Sequence, residues 1–290
     1  MPAILIDPAE LSRCLDDPAV RLLDATVELP APRFDGDYRV ASGRTGWLAG
    51  HIQGALHADL LDDLAEPNAA FSFALPSAER LASGLARLGV SASSRVVIYD
   101  RVDGFWAARL WWVLRSVGIA ARVLDGGLKA WLGAGHRAQQ GEPTVICAPP
   151  LTLTPDPTLW IDRQGVQAIS TGQRPGTLIC ALSAALFDGS APSRYARRGH
   201  IPGSRSLPAR QLFDAQGRYL PTGALRQAIG PDLLQAPGPL VLYCGGGISA
   251  AAPALALTQV GRTDLILYDG SLQEWAADSS LPMTTGATPA

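Results

Sequence analysis

The chain has 290 residues, 47% of them hydrophobic and 17% charged, with a formal net charge of −2. At roughly 100–200 residues per domain, this length predicts two domains, each large enough to bury its own core. The near-neutral balance of charge argues against nucleic acid or an acidic membrane surface as a partner.

The N-terminal stretch MPAILIDPAELSRCLDD has neither a basic leader nor a long apolar core. No segment reaches the ~18 uninterrupted apolar residues of a spanning helix, so a cytoplasmic protein is expected. RLLDA (21–25) opens a series of short apolar strands, and GHIQGA (50–55) follows as a turn. SAERLASGLARLG (77–89) has helical composition, with Gly89 where a C-cap belongs. RVVIYD (95–100) is a strand ending on Asp100, and ARLWWVLRSVG (108–118) is a helix whose tryptophan stripe reads as core packing. VLDGGLKAW (123–131) completes the set, and GEPTVICAPPLTLTPDPT (141–158), rich in Pro and Thr, reads as a linker.

Beyond the linker the same order returns. TLICA (177–181), GHIPGS (199–204), PLVLYC (239–244) and LYDGSLQEW (267–275) echo the earlier motifs. Cys244 follows Asp100 by 144 residues, Asp269 follows Asp125 by 144, and Trp275 follows Trp131 by 144, while the two Gly-His-Ile tags are 149 apart. A duplicated unit is implied, with extra loop residues in the first copy. The expected division is a domain over residues 1–140, a linker over 141–158 and a domain over 159–290. Strands alternating with helices predict an α/β protein, each copy a parallel sheet with helices on both faces.

The four cysteines, Cys14, Cys147, Cys180 and Cys244, form no C-x-x-C pair, so no metal site is expected and reduced thiols are the reading. Cys244 stands apart because Gly245, Gly246, Gly247, Ile248 and Ser249 follow it, between a strand and an alanine-rich helix. A tight turn around a buried thiol explains one or two of those glycines, not the whole run. Gly245-x-Gly247-x-x-Ala250 also fits a dinucleotide fingerprint, with Asp269 about 20 residues on. The remaining 21 residues leave no room for such a fold, and the first copy has no glycines at its matching turn. A third reading is a nucleophile in an anion cradle. Backbone N–H groups and a helix N-terminus converge on the thiol, the glycines let the chain curl around it, and the thiolate is the reactive form. A phosphatase would need Arg at position 250, which is Ala.

CGGGIS, GHIPGS before it and YDGSLQEW after it resemble the catalytic half of a tandem rhodanese-type sulfurtransferase, and GHIQGA and LDGGLKAW resemble the non-catalytic half. The likeness runs from about Leu22 to Ala276. It implies a persulfide on Cys244, with the backbone of Gly245, Gly246, Gly247 and Ile248 as cradle and Ser249 Oγ as a donor to sulfur. The neutral loop is similar to that of 3-mercaptopyruvate enzymes, which favours this donor over thiosulfate. The acceptor would be cyanide, a thiol or a thioredoxin-like protein, and no cofactor is implied. The resemblance also places His51 and the 103–112 segment near an inter-domain cleft. His51 is then either a proton-transfer group or a histidine capping a turn, and Phe105 stands at an aromatic position of the mercaptopyruvate enzymes.

In the first copy Asp100 replaces the nucleophile. It is expected to be silent, since a carboxylate neither attacks sulfur nor suits a ring of helix-end donors. The family's Asp-x-Arg is absent too: Cys180 and Leu182 occupy its places. Among Arg194, Arg197 and Arg198, Arg194 lies nearest a second substrate-binding arginine, with an exposed basic turn as the alternative. Positive φ is expected at Gly246. A rhodanese fold reduced to a binding module is the rival reading, favoured by the missing arginine and opposed by the intact cysteine loop.

Overall fold

A computed structural model describes residues 3–286. Two five-stranded sheets dominate it. The strands of the first are β1 (Leu5–Ile6), β2 (Val20–Asp24), β3 (Leu56–His57), β4 (Arg95–Tyr99) and β5 (Ala121–Leu124). Those of the second are β6 (Trp160–Ile161), β7 (Thr177–Cys180), β8 (Arg205–Ser206), β9 (Leu240–Tyr243) and β10 (Leu265–Tyr268). All neighbours within each sheet pair in parallel, in the order β1-β5-β4-β2-β3 and again β6-β10-β9-β7-β8. The second order is the first moved on by five strands, so the repeat in sequence is a repeat in topology.

Both faces of each sheet are covered, which the alternation of side chains records. Leu22, Val97 and Tyr99 pack on one face of the first sheet, and Leu23, Val96 and Ile98 on the other. Val241 and Tyr243 separate from Leu240 and Leu242 in the same way. A strand buried on both faces has no polar alternation to display, so it reads as a continuous apolar run.

One apolar cluster is common to both halves and contains Trp106, Trp112, Ile98, Leu242 and Leu255. Two helices meet there, Phe105–Arg115 from the first half and Ala251–Gln259 from the second. Ala251, Ala252, Ala254 and Ala256 are fully buried, and their small side chains let the helices approach closely. Trp111 and Trp112 are core residues, as their stripe predicts. Gly89, Gly118 and Gly261 end their helices at φ +66, +77 and +93, which glycine adopts without steric cost. Between Gln139 and Pro157 the chain forms no helix or strand and lies along the first half, where Ala148 N–H donates to Ala86 O at 2.9 Å. No helix among the described residues is long and apolar enough to cross a membrane.

Candidate active site

Cys244 follows the last residue of β9 at the carboxyl edge of the second sheet and is 2% exposed. Three contacts from the short helix Ser271–Trp275 hold its backbone. Cys244 N–H donates to Ser271 Oγ (3.1 Å), Leu272 N–H to Cys244 O (3.1 Å), and Gln273 N–H to Gly245 O (2.7 Å). With those carbonyls turned toward the helix, the following amides face elsewhere. The N–H groups of Gly246, Gly247 and Ile248 donate to no protein acceptor among the described residues.

The first half shows what such amides can do. Asp100 Oδ1 accepts from the N–H groups of Val102 (3.0 Å), Asp103 (3.1 Å) and Gly104 (3.0 Å), and Oδ2 from Ala107 (3.0 Å). A carboxylate therefore does sit in the ring of helix-end donors, contrary to the expectation stated above. Short loop geometry aims four amides at one point, and an anion attached to the chain fills it. At the 144-residue offset, Val102, Asp103 and Gly104 correspond to Gly246, Gly247 and Ile248. The second loop has the same three donors and no carboxylate.

The glycines carry unequal steric loads. Gly247, not Gly246, takes positive φ (+75), and a Cβ there would stand 2.7 Å from Asp269 O. At Gly245 a Cβ would lie 1.5 Å from Tyr195 Oη. At Gly246 the nearest atom is Gln273 Oε1 at 3.3 Å, so this position is the most permissive of the three. The two non-glycine residues with positive φ among those described, Phe73 (+64) and Ser271 (+48), flank this loop from opposite halves of the chain. Strained backbone held at one place is a mark of functional sites.

A cavity of about 190 Å³ opens over Cys244 between the two halves. Gly245, Gly246, Ile248 and Ser249 line it from the second half, and Phe73, Asp103, Phe105 and Trp106 from the first. Leu182 lies in the wall, and its side chain cannot do the work of a bidentate guanidinium. Among the described residues Arg194 is the one cation lining the cavity, and its Nη2 donates to Pro30 O at 3.1 Å. Arg197 and Arg198 are used elsewhere. Arg197 donates to the carbonyls of Trp275, Ala276, Asp278 and Leu281, and Arg198 pairs with Asp35.

His51 does not reach the cavity. It is fully buried, with Nδ1 2.8 Å from Trp47 O and its ring stacked on the Trp47 ring. His200 repeats the arrangement with Phe187, at 2.8 Å from its carbonyl. A turn histidine packed on an aromatic ring is thus a fold device used twice. Cys180 faces the core on the opposite side of its sheet, where burial pushes its thiol up to about 12, so it is a poor nucleophile.

Several cavity residues carry no signature in the sequence. Tyr38 and Tyr195 bring their phenols to the cavity. Tyr38 Oη is buried without a hydrogen-bond partner, and burial, then the neighbouring Cys244, raises the Tyr195 pKa, keeping it a neutral donor. Asp103 pairs with Arg210 at 3.3 Å, and burial together with the Asp100 charge raises its pKa to about 7. The charged residue within an apolar run, Arg109 in FWAARLWWVL, was the one legible anomaly.

A model of the rhodanese-like domain matches residues 7–134 and 177–278. The chain is 33% identical over 288 residues to a putative thiosulfate sulfurtransferase of Mycobacterium tuberculosis, covering 98% of this chain and 97% of that protein. It is also 33% identical over 290 residues to a probable 3-mercaptopyruvate sulfurtransferase of Pseudomonas aeruginosa, covering 98% and 99%. The crystal structure of a 3-mercaptopyruvate sulfurtransferase from Escherichia coli superposes with a TM-score of 0.80 at 27% identity, over 93% of this chain and 98% of that one.

Proposed function

The chain belongs to the rhodanese family, and from that premise we propose that this sulfurtransferase carries sulfur on Cys244. The half around residues 1–140 is the silent domain and the half around 159–290 the catalytic one. The reading rests on one observation above all: three amides that hold a carboxylate in the first half are free beside a thiol in the second.

The donor we favour is 3-mercaptopyruvate, with thiosulfate second. The Cys244 thiolate attacks the donor sulfur, an S–S bond forms as the C–S bond breaks, and pyruvate leaves as its enolate. The enolate takes up the proton that the donor thiol gives up, and a persulfide anion remains. From thiosulfate the S–S bond breaks instead and sulfite departs. The amides of Gly246, Gly247 and Ile248 stabilise the charge on the terminal sulfur as an oxyanion hole does on oxygen, and Ser249 Oγ is a further donor. An acceptor nucleophile such as cyanide, a thiol or a thioredoxin-like protein then attacks the outer sulfur and restores the thiolate. Arg194, with neutral hydrogen bonds from Tyr38 and Tyr195, holds the donor carboxylate, and Phe105 packs on its body. A single cation suits a monoanion better than a dianion, which is why mercaptopyruvate leads. His51 is left out of this chemistry. A cytoplasmic setting, with reduced thiols, goes with this mechanism.

Intact-mass spectrometry tests it. Exposure to mercaptopyruvate or thiosulfate adds one sulfur atom to the wild type and none to Cys244→Ser. Transfer activity surviving in Cys244→Ser overturns the assignment.

A further inference from the structure

Arg109 belongs to the silent half, yet its guanidinium ends beneath the cysteine loop of the other half. It is 1% exposed and lies on the helix Phe105–Arg115. Nη2 donates to Asp269 Oδ1 at 2.6 Å and to Phe73 O at 2.7 Å, Nη1 stands 3.5 Å from Gly247 O, and the guanidinium covers the Trp160 ring at 5.0 Å. Asp269 is shared in turn, because its Oδ2 accepts from Leu75 N–H at 2.7 Å. Ser72 N–H donates to Gln273 Oε1 at 3.1 Å, and Gln273 is the residue whose amide holds Gly245 O. Phe73, held at φ +64 between these contacts, is itself a cavity wall.

The internal repeat separates this arrangement from the requirements of the fold. At the 144-residue offset the counterpart of Arg109 is Pro253, so the catalytic half has no such guanidinium beneath the Asp100 loop, which it meets instead through Arg210 on Asp103 at 3.3 Å. The Asp100 loop needs none, since its amides close on its own carboxylate. A loop whose amides are free lacks that internal tie and must be held in shape from outside.

We infer that Arg109 is a positioning residue for sulfur transfer: from the silent domain it fixes Gly247 and Asp269 so that the cradle amides stay directed at the Cys244 sulfur. This rests on the Cys244 reading and gives the silent domain a task beyond supplying a wall. The planar fork matters, since one guanidinium serves an aspartate and two carbonyls at once, which a lysine ammonium cannot reproduce.

A buried ion pair that loses one partner destabilises a protein whatever its function, whereas replacing both partners by apolar residues is often neutral. The informative variant is therefore the double substitution Arg109→Met with Asp269→Asn, which removes both charges and keeps an acceptor for Leu75 N–H. Single-turnover loading of Cys244 with mercaptopyruvate would be followed by intact mass, alongside the melting temperature. The expectation is a near-normal melting temperature, a maximal loading rate lowered about 10- to 100-fold, and a half-saturating donor concentration within about twofold of wild type. If the double variant does not fold, Arg109→Lys, which keeps the charge opposite Asp269, takes its place with an expected loss of about tenfold. Wild-type loading in a folded variant overturns the inference. Absence of sulfur on Cys244 in the wild type itself would overturn the underlying reading instead.

Discussion

The loop after β4 and the loop after β9 stand at equivalent places in their sheets, and each is tied by the short helix after the neighbouring strand, Gly127–Gly133 in the first half and Ser271–Trp275 in the second. Leu128 N–H ties Asp100 O at 3.1 Å, as Leu272 N–H ties Cys244 O at 3.1 Å. They differ in what occupies the centre. Asp100 satisfies its own ring of amides, so the first loop is closed and chemically finished. Cys244 leaves three amides unspent, and the second loop depends on contacts from its neighbours. Amides cost free energy when buried unpaired, so an open cradle has an affinity for anions that a filled one lacks. On the proposed reading, catalytic capacity in this chain goes with incompleteness of local hydrogen bonding, and stability with its completion.

The sharpest way to break this comparison is to exchange the central residues. Cys244→Ser should abolish sulfur loading, while Asp100→Cys should load nothing at position 100, because Val102 and Asp103 replace the glycines there. A sulfur atom found on residue 100 by peptide mass mapping would mean that the nucleophile alone separates the loops.

Removing the internal anion comes next. Asp100→Ala strands four amides, one buried and three partly buried, and should cost about 3 kcal/mol in denaturant unfolding. Loading of Cys244 below the transition should stay within about threefold of wild type. A variant as stable as wild type would show that the ring adds nothing to the first half.

The pocket can be sharpened at the wall where Leu182 stands. Leu182→Arg should add a charge-assisted hydrogen bond to an anionic donor, worth ~1.5–3 kcal/mol, or roughly ten- to a hundredfold in kcat/KM. The gain should vanish for uncharged donors. If Arg194 already holds the carboxylate, Arg194→Ala should raise KM steeply and Leu182→Arg should add little, so steady-state kinetics of both variants decide between them.

Among the glycines, Gly247→Ala should slow loading about tenfold through ~1–2 kcal/mol of backbone strain and displacement of the Asp269 carbonyl. Gly246→Ala should change the rate by less than threefold. Equal effects at the two positions would show that the φ +75 turn does not govern the cradle.

The smallest effect concerns pH. The Asp103 pKa is raised to about 7, chiefly by burial and then by the Asp100 charge. A carboxyl raised on folding contributes stability that is fully present below its unfolded pKa of about 4 and is lost as pH rises through about 7. Asp103→Asn should therefore flatten the dependence of melting temperature on pH between about 4 and 8, leaving the part that Asp100, also raised by burial, contributes. A wild-type slope retained in that variant would exclude Asp103 as the source.

The repeat at 144 residues made the duplicated topology legible, because strand order follows from motif order once the halves are aligned. Cys244 was legible for a related reason: five following residues with little side-chain bulk have no explanation in packing alone. Which glycine takes positive φ was not, since that depends on Asp269 and Tyr195, brought in from other elements. Nor was the fate of Asp100. A carboxylate beside amides reads as unfavourable by charge burial and as favourable by hydrogen bonding, and only the four distances decide between them. His51 had two readings in the sequence, and its ring against Trp47, away from the cavity, is that of a turn histidine. Phe73 matters through contacts across the domain interface, where sequence spacing carries no information, whereas Arg109 stands out as a charge within an apolar run.

The filled ring around Asp100 also bears on how such a duplicate can change over evolutionary time. With a tethered carboxylate at its centre, the first loop answers to folding alone, and Val102 and Asp103 can stand where an incoming anion would require glycine. Sulfur loading there would need several substitutions together, each disfavoured without the others. On the proposed reading the first copy is in this sense locked by its own filled ring, and sulfur loading stays with the second.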